Sequence, residues 1–212
     1  MASKELSRLT ITISKEELSK LPITRYEGEI VTVESDDAIA AAISDLQTAD
    51  IIGFDTETKP NFRKGQMHDV ALIQLATRER CYLFRICKTG FHPLIQQLLE
   101  NPDIHKVGLS IHDDFHNLNR LSPFQPAGFT DLQQFVKKYG ITDNSLSRIH
   151  AILFGQRISK SQQLSNWEAP ELSPGQQHYA ALDARACIRI YDHMTAGLFN
   201  PAESPYRRDS DA

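Results

Sequence analysis

The chain has 212 residues, 41% of them hydrophobic and 24% charged, the composition of an ordinary globular fold. No apolar run approaches the ~20 residues that a membrane-spanning helix needs, and the opening Met1–Glu5 has no apolar core of the kind a signal peptide carries. The sequence therefore predicts a cytoplasmic protein with no membrane partner. A net charge of −4 weighs against a generally basic polymer binder. It leaves room for a local basic rim around acids that a metal neutralises.

Residues 1–34 hold two short β-branched runs, Leu9–Ile13 and Glu29–Val33. Between them Ser14 and Glu17 have capping-box spacing, which predicts a short helix. This stretch is too small for its own core and reads as an appended arm. Residues 35–196 read as the main domain, and the polar stretch 197–212 as a flexible tail. Ser35 opens a capped, Ala-rich helix that ends near Thr48. Strands are predicted at 51–57, at Val70–Ala76 and at Cys81–Ile86. The short polar turn Arg78–Arg80 makes the last two antiparallel neighbours. Pro60–His68 is a polar loop. Then come a helix near Pro93–Glu100, a strand near His105–Leu109, a helix from about Asp113 to Leu121, and a strand near Gly128–Leu132. Helices fill the remainder, the last over about Pro174–Met194. The pattern predicts an α/β fold, a mixed sheet with helices on both faces. Cys81, Cys87 and Cys187 have neither CxxC spacing nor an even count, so they read as buried, reduced packing residues.

Chemistry concentrates in three places. In Ile51–Thr58 an apolar strand runs into Asp55 and Glu57, whose i, i+2 spacing puts both carboxylates on one face. Two acids side by side at a strand end either face water or require a cation. In the stretch Lys106–Leu118 a strand enters a Gly/Ser turn and then a helix with Asp113 and Asp114 in its first turn. Either acid can serve the helix dipole. Asp114 shares a helix face with Leu118 and Leu121; if that face turns inward, Asp114 points at the protein body and Asp113 points elsewhere. In the last helix Tyr179 and Asp183 stand i, i+4 on one face; Asp183 otherwise pairs with Arg185 or Arg189.

This ordered set resembles the DEDDy branch of the DEDD 3′–5′ exonucleases, in particular the RNase D and Werner-helicase exonuclease domains. The likeness covers roughly residues 35–195. It includes Phe54–Glu57, Val107 through Asp114 to Leu118, and Tyr179 through Asp183. Val70–Ala76 and Gln163–Trp167 extend it. The resemblance implies an RNase H-like fold and hydrolysis of DNA or RNA phosphodiesters from a 3′ end, releasing nucleoside monophosphates with two Mg²⁺ or Mn²⁺ ions. Hard cations of this kind prefer carboxylate oxygen. By resemblance Asp55 bridges both ions, Glu57 and Asp183 join the nucleophile-side ion, Asp114 serves the second, and Tyr179 holds the attacking water. The helical accessory domains of RNase D are expected to have no counterpart here.

Arg63, Lys64, Arg157 and Lys160 are candidates for a basic rim that meets substrate phosphates, or are ordinary solvated charges. Trp167 stacks on a base or, in the more favoured reading, fills the core. His112, His116 and His178 neighbour the motif acids without being ligands. A catalytically inactive nucleic-acid-binding or scaffold module is the alternative, and an endonuclease of the same fold is a third reading.

Overall fold

The computed structural model describes residues 10–61 and 67–208. Its centre is a six-stranded mixed sheet of β2 (Glu29–Val33), β3 (Ile51–Thr58), β4 (Val70–Ala76), β5 (Arg80–Phe84), β6 (His105–Gly108) and β7 (Phe129–Asp131), in the order β2-β5-β4-β3-β6-β7. β4 runs antiparallel to both its neighbours, while the β2–β5, β3–β6 and β6–β7 pairs are parallel. Every residue of β4 is buried, as expected of a strand covered on both faces. In β3 the first four residues are buried and the last four only half-buried, so the strand leaves the core as it reaches Asp55.

One face of the sheet is covered by α6 (Leu132–Lys137), α7 (Leu146–Phe154) and the long α8 (Pro174–Thr195), which share an apolar cluster with Leu72, Leu83 and Val107. The other face packs on α2 (Asp36–Leu46), α4 (Pro93–Glu100) and α5 (His112–Leu121) through Ile52, Phe54, Ile73 and Leu75. The start of α8 is set locally: Ser173 and Gln176 form a capping box and Pro174 occupies the first turn. Alanines at 180, 181 and 184 then let the helix lie close to the sheet. The approach is closest at Gly53, where an added Cβ would stand 2.0 Å from the carbonyl oxygen of Ala184.

Four expectations need correction. From residue 10 on, the stretch read as an appended arm is integral to the fold. β2 is an edge strand of the main sheet, and Ile11 and Ile13 are fully buried. The Ile11 amide donates to Gly140 O (2.8 Å), and Asp143 accepts from Thr12 Oγ1 and the Ile13 amide, both at 2.9 Å. The short helix α1 (Lys15–Lys20) has the expected capping box. Second, the stretch read as a flexible tail is structured as far as residue 208: a 3₁₀ turn at Pro201–Glu203 leads to β8 (Arg207–Arg208), which pairs antiparallel with β1 (Thr10–Ile11). Third, Cys87 is exposed, on α3 (Ile86–Thr89), whereas Cys81 and Cys187 are buried. Fourth, β5 stops at Phe84 because Ile86 opens that helix. Leu9, the loop residues 62–66 and residues 209–212 lie outside the described residues. Among the described residues no helix is long and apolar enough to cross a membrane.

The Gly53–Ala184 contact is a test of this packing. Gly53→Ala should lower stability by at least about 2 kcal/mol, because the methyl meets backbone rather than a side chain that can turn away. Urea denaturation showing a loss under about 0.5 kcal/mol, the scale of a surface substitution, would mean that the two elements are not in backbone contact.

Candidate metal centre

Asp55 and Glu57 lie on the face of β3 that meets α8, and α8 carries Asp183 to them. One carboxylate oxygen from each of the three lies within 4.8 Å of the others. Asp183 is 7% exposed, and its Oδ1 has no hydrogen-bond partner among the described residues. Asp114 stands outside this trio. Its carboxylate accepts a hydrogen bond from the Thr56 hydroxyl, and Thr56 is sent to the opposite face of β3 by the strand's own alternation. Asp113, by contrast, is solvent-exposed beside His112. The turn that delivers Asp114 is tight. Ser110 has φ +58°, its amide donates to Asp131 Oδ1 (2.9 Å), and a Cβ at Gly108 would stand 2.5 Å from Ile111 Cγ2.

Crowded carboxylates in a desolvated site resist ionisation. Burial, then the charges of Asp183, Asp114 and Glu57, hold Asp55 well above the usual carboxylate range. Burial, then Asp183 and Asp114, push Glu57 up to about 9. Burial raises Asp183 to about 7 despite the opposing pull of the Tyr179 phenol and the Lys160 ammonium. Burial also lifts Asp114 to about 6 against its hydrogen bond from Thr56. The donor set is oxygen only, it is rich in negative charge, and it includes a buried oxygen with nothing to bind. It fits a hard divalent cation.

Tyr179 borders the same cavity, whose volume is about 260 Å³. Burial and the charges of Asp183, Glu57 and Asp55 all raise its phenol, so it keeps its proton. Trp167 is fully buried with its ring centroid 6.0 Å from that of Tyr179, so it supports the phenol from within the core. Lys160 is exposed and lines the cavity. Arg157 does not join it: its Nε donates to Leu21 O (3.2 Å) and ties down the chain before β2. Arg63 and Lys64 lie outside the described residues. His112, His116 and His178 are exposed and none belongs to the acidic trio.

Three features were not assigned from the sequence. Thr56 restrains Asp114, and strand alternation between the two acids was the available signal. Gln163 and the hydroxyl residues Ser145, Ser147 and Ser159 help line the cavity; Gln163 opens a stretch already noted. Gln74 sits directly opposite Asp55 in the β3–β4 register, fully buried, with neither amide atom hydrogen-bonded.

Comparison with known proteins agrees with this geometry. Residues 30–198 match the 3′–5′ exonuclease family. The mouse bifunctional 3′–5′ exonuclease/ATP-dependent helicase WRN is 33% identical over 184 residues, which cover 82% of this chain and 13% of that protein. This chain therefore corresponds to a small part of that relative. The Aedes aegypti Nibbler EXO domain superposes with a TM-score of 0.73 at 25% identity, covering 85% of this chain and 96% of that one. Escherichia coli RNase D shares the fold, with a TM-score of 0.71 at 20% identity over 81% of this chain and 45% of that one. The α/β, RNase H-like architecture expected from the sequence is the one found.

The electrostatics of the trio predict a pH dependence of stability. A raised folded-state pKa means that the folded protein holds a proton which the unfolded chain releases near pH 4.3. The stabilisation is complete below that value and is lost as pH rises toward the Glu57 value of about 9. In EDTA, Glu57→Gln should therefore raise the melting temperature progressively between about pH 5 and 9 and leave it unchanged near pH 4. A pH-independent difference between wild type and variant would show that Glu57 is not in this field.

Proposed function

The chain belongs to the 3′–5′ exonuclease family, and from that premise we propose that it is a catalytically competent, metal-dependent member. It hydrolyses phosphodiester bonds of DNA or RNA from the 3′ end and releases nucleoside monophosphates. The observation that carries this reading is the convergence of Asp55, Glu57 and Asp183 oxygens within 4.8 Å, with the charge of Asp114 bearing on the first two. Repulsion of that kind is costly unless cations relieve it.

In this reading Asp55, Glu57 and Asp183 would hold one Mg²⁺ or Mn²⁺ ion, and Asp114 would serve a second. When bound, such a pair supplies activation of the attacking water and charge stabilisation at the leaving oxygen. The chain's own residues do the rest. Tyr179, a phenol that keeps its proton, orients the attacking water rather than deprotonating it. Trp167 holds that phenol in place from below. Lys160 offers positive charge to the substrate phosphate at the cavity, and Arg63 and Lys64 are assigned the same role on the sequence alone.

A 5′-labelled single strand should shorten stepwise with Mg²⁺ or Mn²⁺, and EDTA or Asp55→Asn should reduce the rate by at least about a hundredfold, the scale lost with an electrostatic catalytic group. Matched DNA and RNA strands assayed side by side identify the preferred sugar. Internal cuts in a circular single strand would make the protein an endonuclease, and inactivity on every strand would favour the binding module.

Metal occupancy has its own readout. Millimolar Mn²⁺ should raise the melting temperature by mass action, and Asp183→Asn should remove most of that gain. A melting curve unmoved by Mn²⁺ in the wild type would contradict a competent site.

A further inference from the structure

A second cavity, of about 520 Å³, opens beside the acidic site and shares Tyr179 and Ser159 with it. Its floor is the first half of α8, through His178 and Leu182, and its far wall is the chain segment 23–27. That segment precedes the family-matched span, which begins at residue 30. The wall is a feature of this chain beyond what the family match covers.

The wall is held on both sides. The Thr24 amide donates to Arg157 O (3.0 Å), the Arg157 amide donates to Pro22 O (2.9 Å), and Ile23 bridges Arg157 in parallel. Tyr26 is buried, and its hydroxyl donates to Glu29 O (3.0 Å). Between these anchors Ile23 is left 48% exposed, on the cavity side. A branched apolar side chain held facing solvent by fixed backbone offers a preformed contact, with little ordering cost on binding.

The charges point the same way. Most basic side chains elsewhere are committed: Arg78 to Asp50 and Asp192, Arg80 to Glu29, Arg85 and Lys88 to Glu34, Arg120 to Asp69. The Arg25 side chain in the wall has neither an ion pair nor a hydrogen bond among the described residues, whereas Lys160 lines the first cavity and its charge acts on Asp183. Among the described residues Glu27 is the single acid lining this second cavity. Apolar surface with an uncommitted guanidinium at its edge, beside a site for phosphodiesters, suits a chain of bases joined by phosphates.

We propose that this groove binds the single-stranded segment on the 5′ side of the scissile bond, with a base against Ile23 and Leu182 and a backbone phosphate at Arg25. The inference rests on the exonuclease reading and deepens it: it makes the enzyme sensitive to strand length and selects single strands over paired ends. A strand whose 3′ terminus lies at the acids must continue away from them, and the groove is a neighbouring exit with a built wall.

The test compares a dinucleotide with a hexanucleotide in the wild type and in Ile23→Asp and Arg25→Glu, both at exposed positions. The wild type should show a lower KM for the longer strand, and each variant should lose roughly tenfold of that advantage with kcat little changed. An advantage retained in both variants, or an equal loss on both lengths, would overturn the proposal. Fluorescence anisotropy of a labelled hexanucleotide in EDTA reads the groove without catalysis. Weaker binding by the variants supports it even if no strand is cleaved, which would count against the exonuclease reading alone. Unchanged binding would overturn the groove even if cleavage is observed.

Discussion

Asp55 and Asp183, 128 positions apart in the chain (183 − 55), share one small volume because β3 and α8 meet backbone to backbone. The contact depends on the absence of a side chain at Gly53, two residues before Asp55 on the same strand face. From there each element continues outward, the strand to Glu57 and the helix back to Tyr179. The spacing of the acids is therefore inherited from the sheet–helix packing distance rather than from a loop. Rigid elements hold such constellations more tightly than loops do. The same closeness makes the trio repel, so the geometry that suits a cation also weakens the protein without one.

Much of this was legible because it is written in short-range signals. The apolar run ending in Asp55 and Glu57 carries the two-residue period of a strand, and Tyr179 and Asp183 carry the helical i, i+4 period. The capping boxes and the polar turn at Arg78–Arg80 are local too. What escaped were pairings between distant segments. Nothing near Ile11 announces that its amide will meet Gly140, or that Thr10 will pair with Arg208. The arm and the tail look dispensable one at a time because each completes the other. Arg157 misled for a related reason. Its charge was readable, but its commitment to the Leu21 carbonyl depends on a chain segment 136 positions away.

Asp114 shows where periodicity stops short of geometry. Helix spacing puts Asp114 and Asp113 on different faces, and the structure turns the first inward and leaves the second in solvent. The spacing did not show that Thr56 would take hold of the carboxylate, because that bond joins the far face of β3 to the start of α5. The hydrogen bond favours the ionised form, and Asp114 is accordingly raised less than Glu57. The four acids are thus unequal: a tight trio that burial, with repulsion at Asp55 and Glu57, drives toward protonation, and a fourth member whose ionised form a neutral donor favours. Under the proposed two-cation reading, this asymmetry makes the trio the place of strongest mutual relief.

The distinction between a working enzyme and a binding module of the same fold can be argued from that instability. A surface for holding nucleic acid gains from positive charge and loses from buried carboxylates, which repel phosphate as well as each other. Neutral amides at 55, 57 and 183 would keep the packing, remove the repulsion and improve affinity for an anionic strand. Acids that cost stability and oppose the ligand favour the proposed cation-bound, hydrolytic reading over the binding module. The neighbouring groove has a different character, with apolar surface, the unpaired Arg25 and no cluster of acids to relieve. In the proposed reading the two cavities divide the work: one would hold the strand, and the other would be relieved by the cations that equip it to cut.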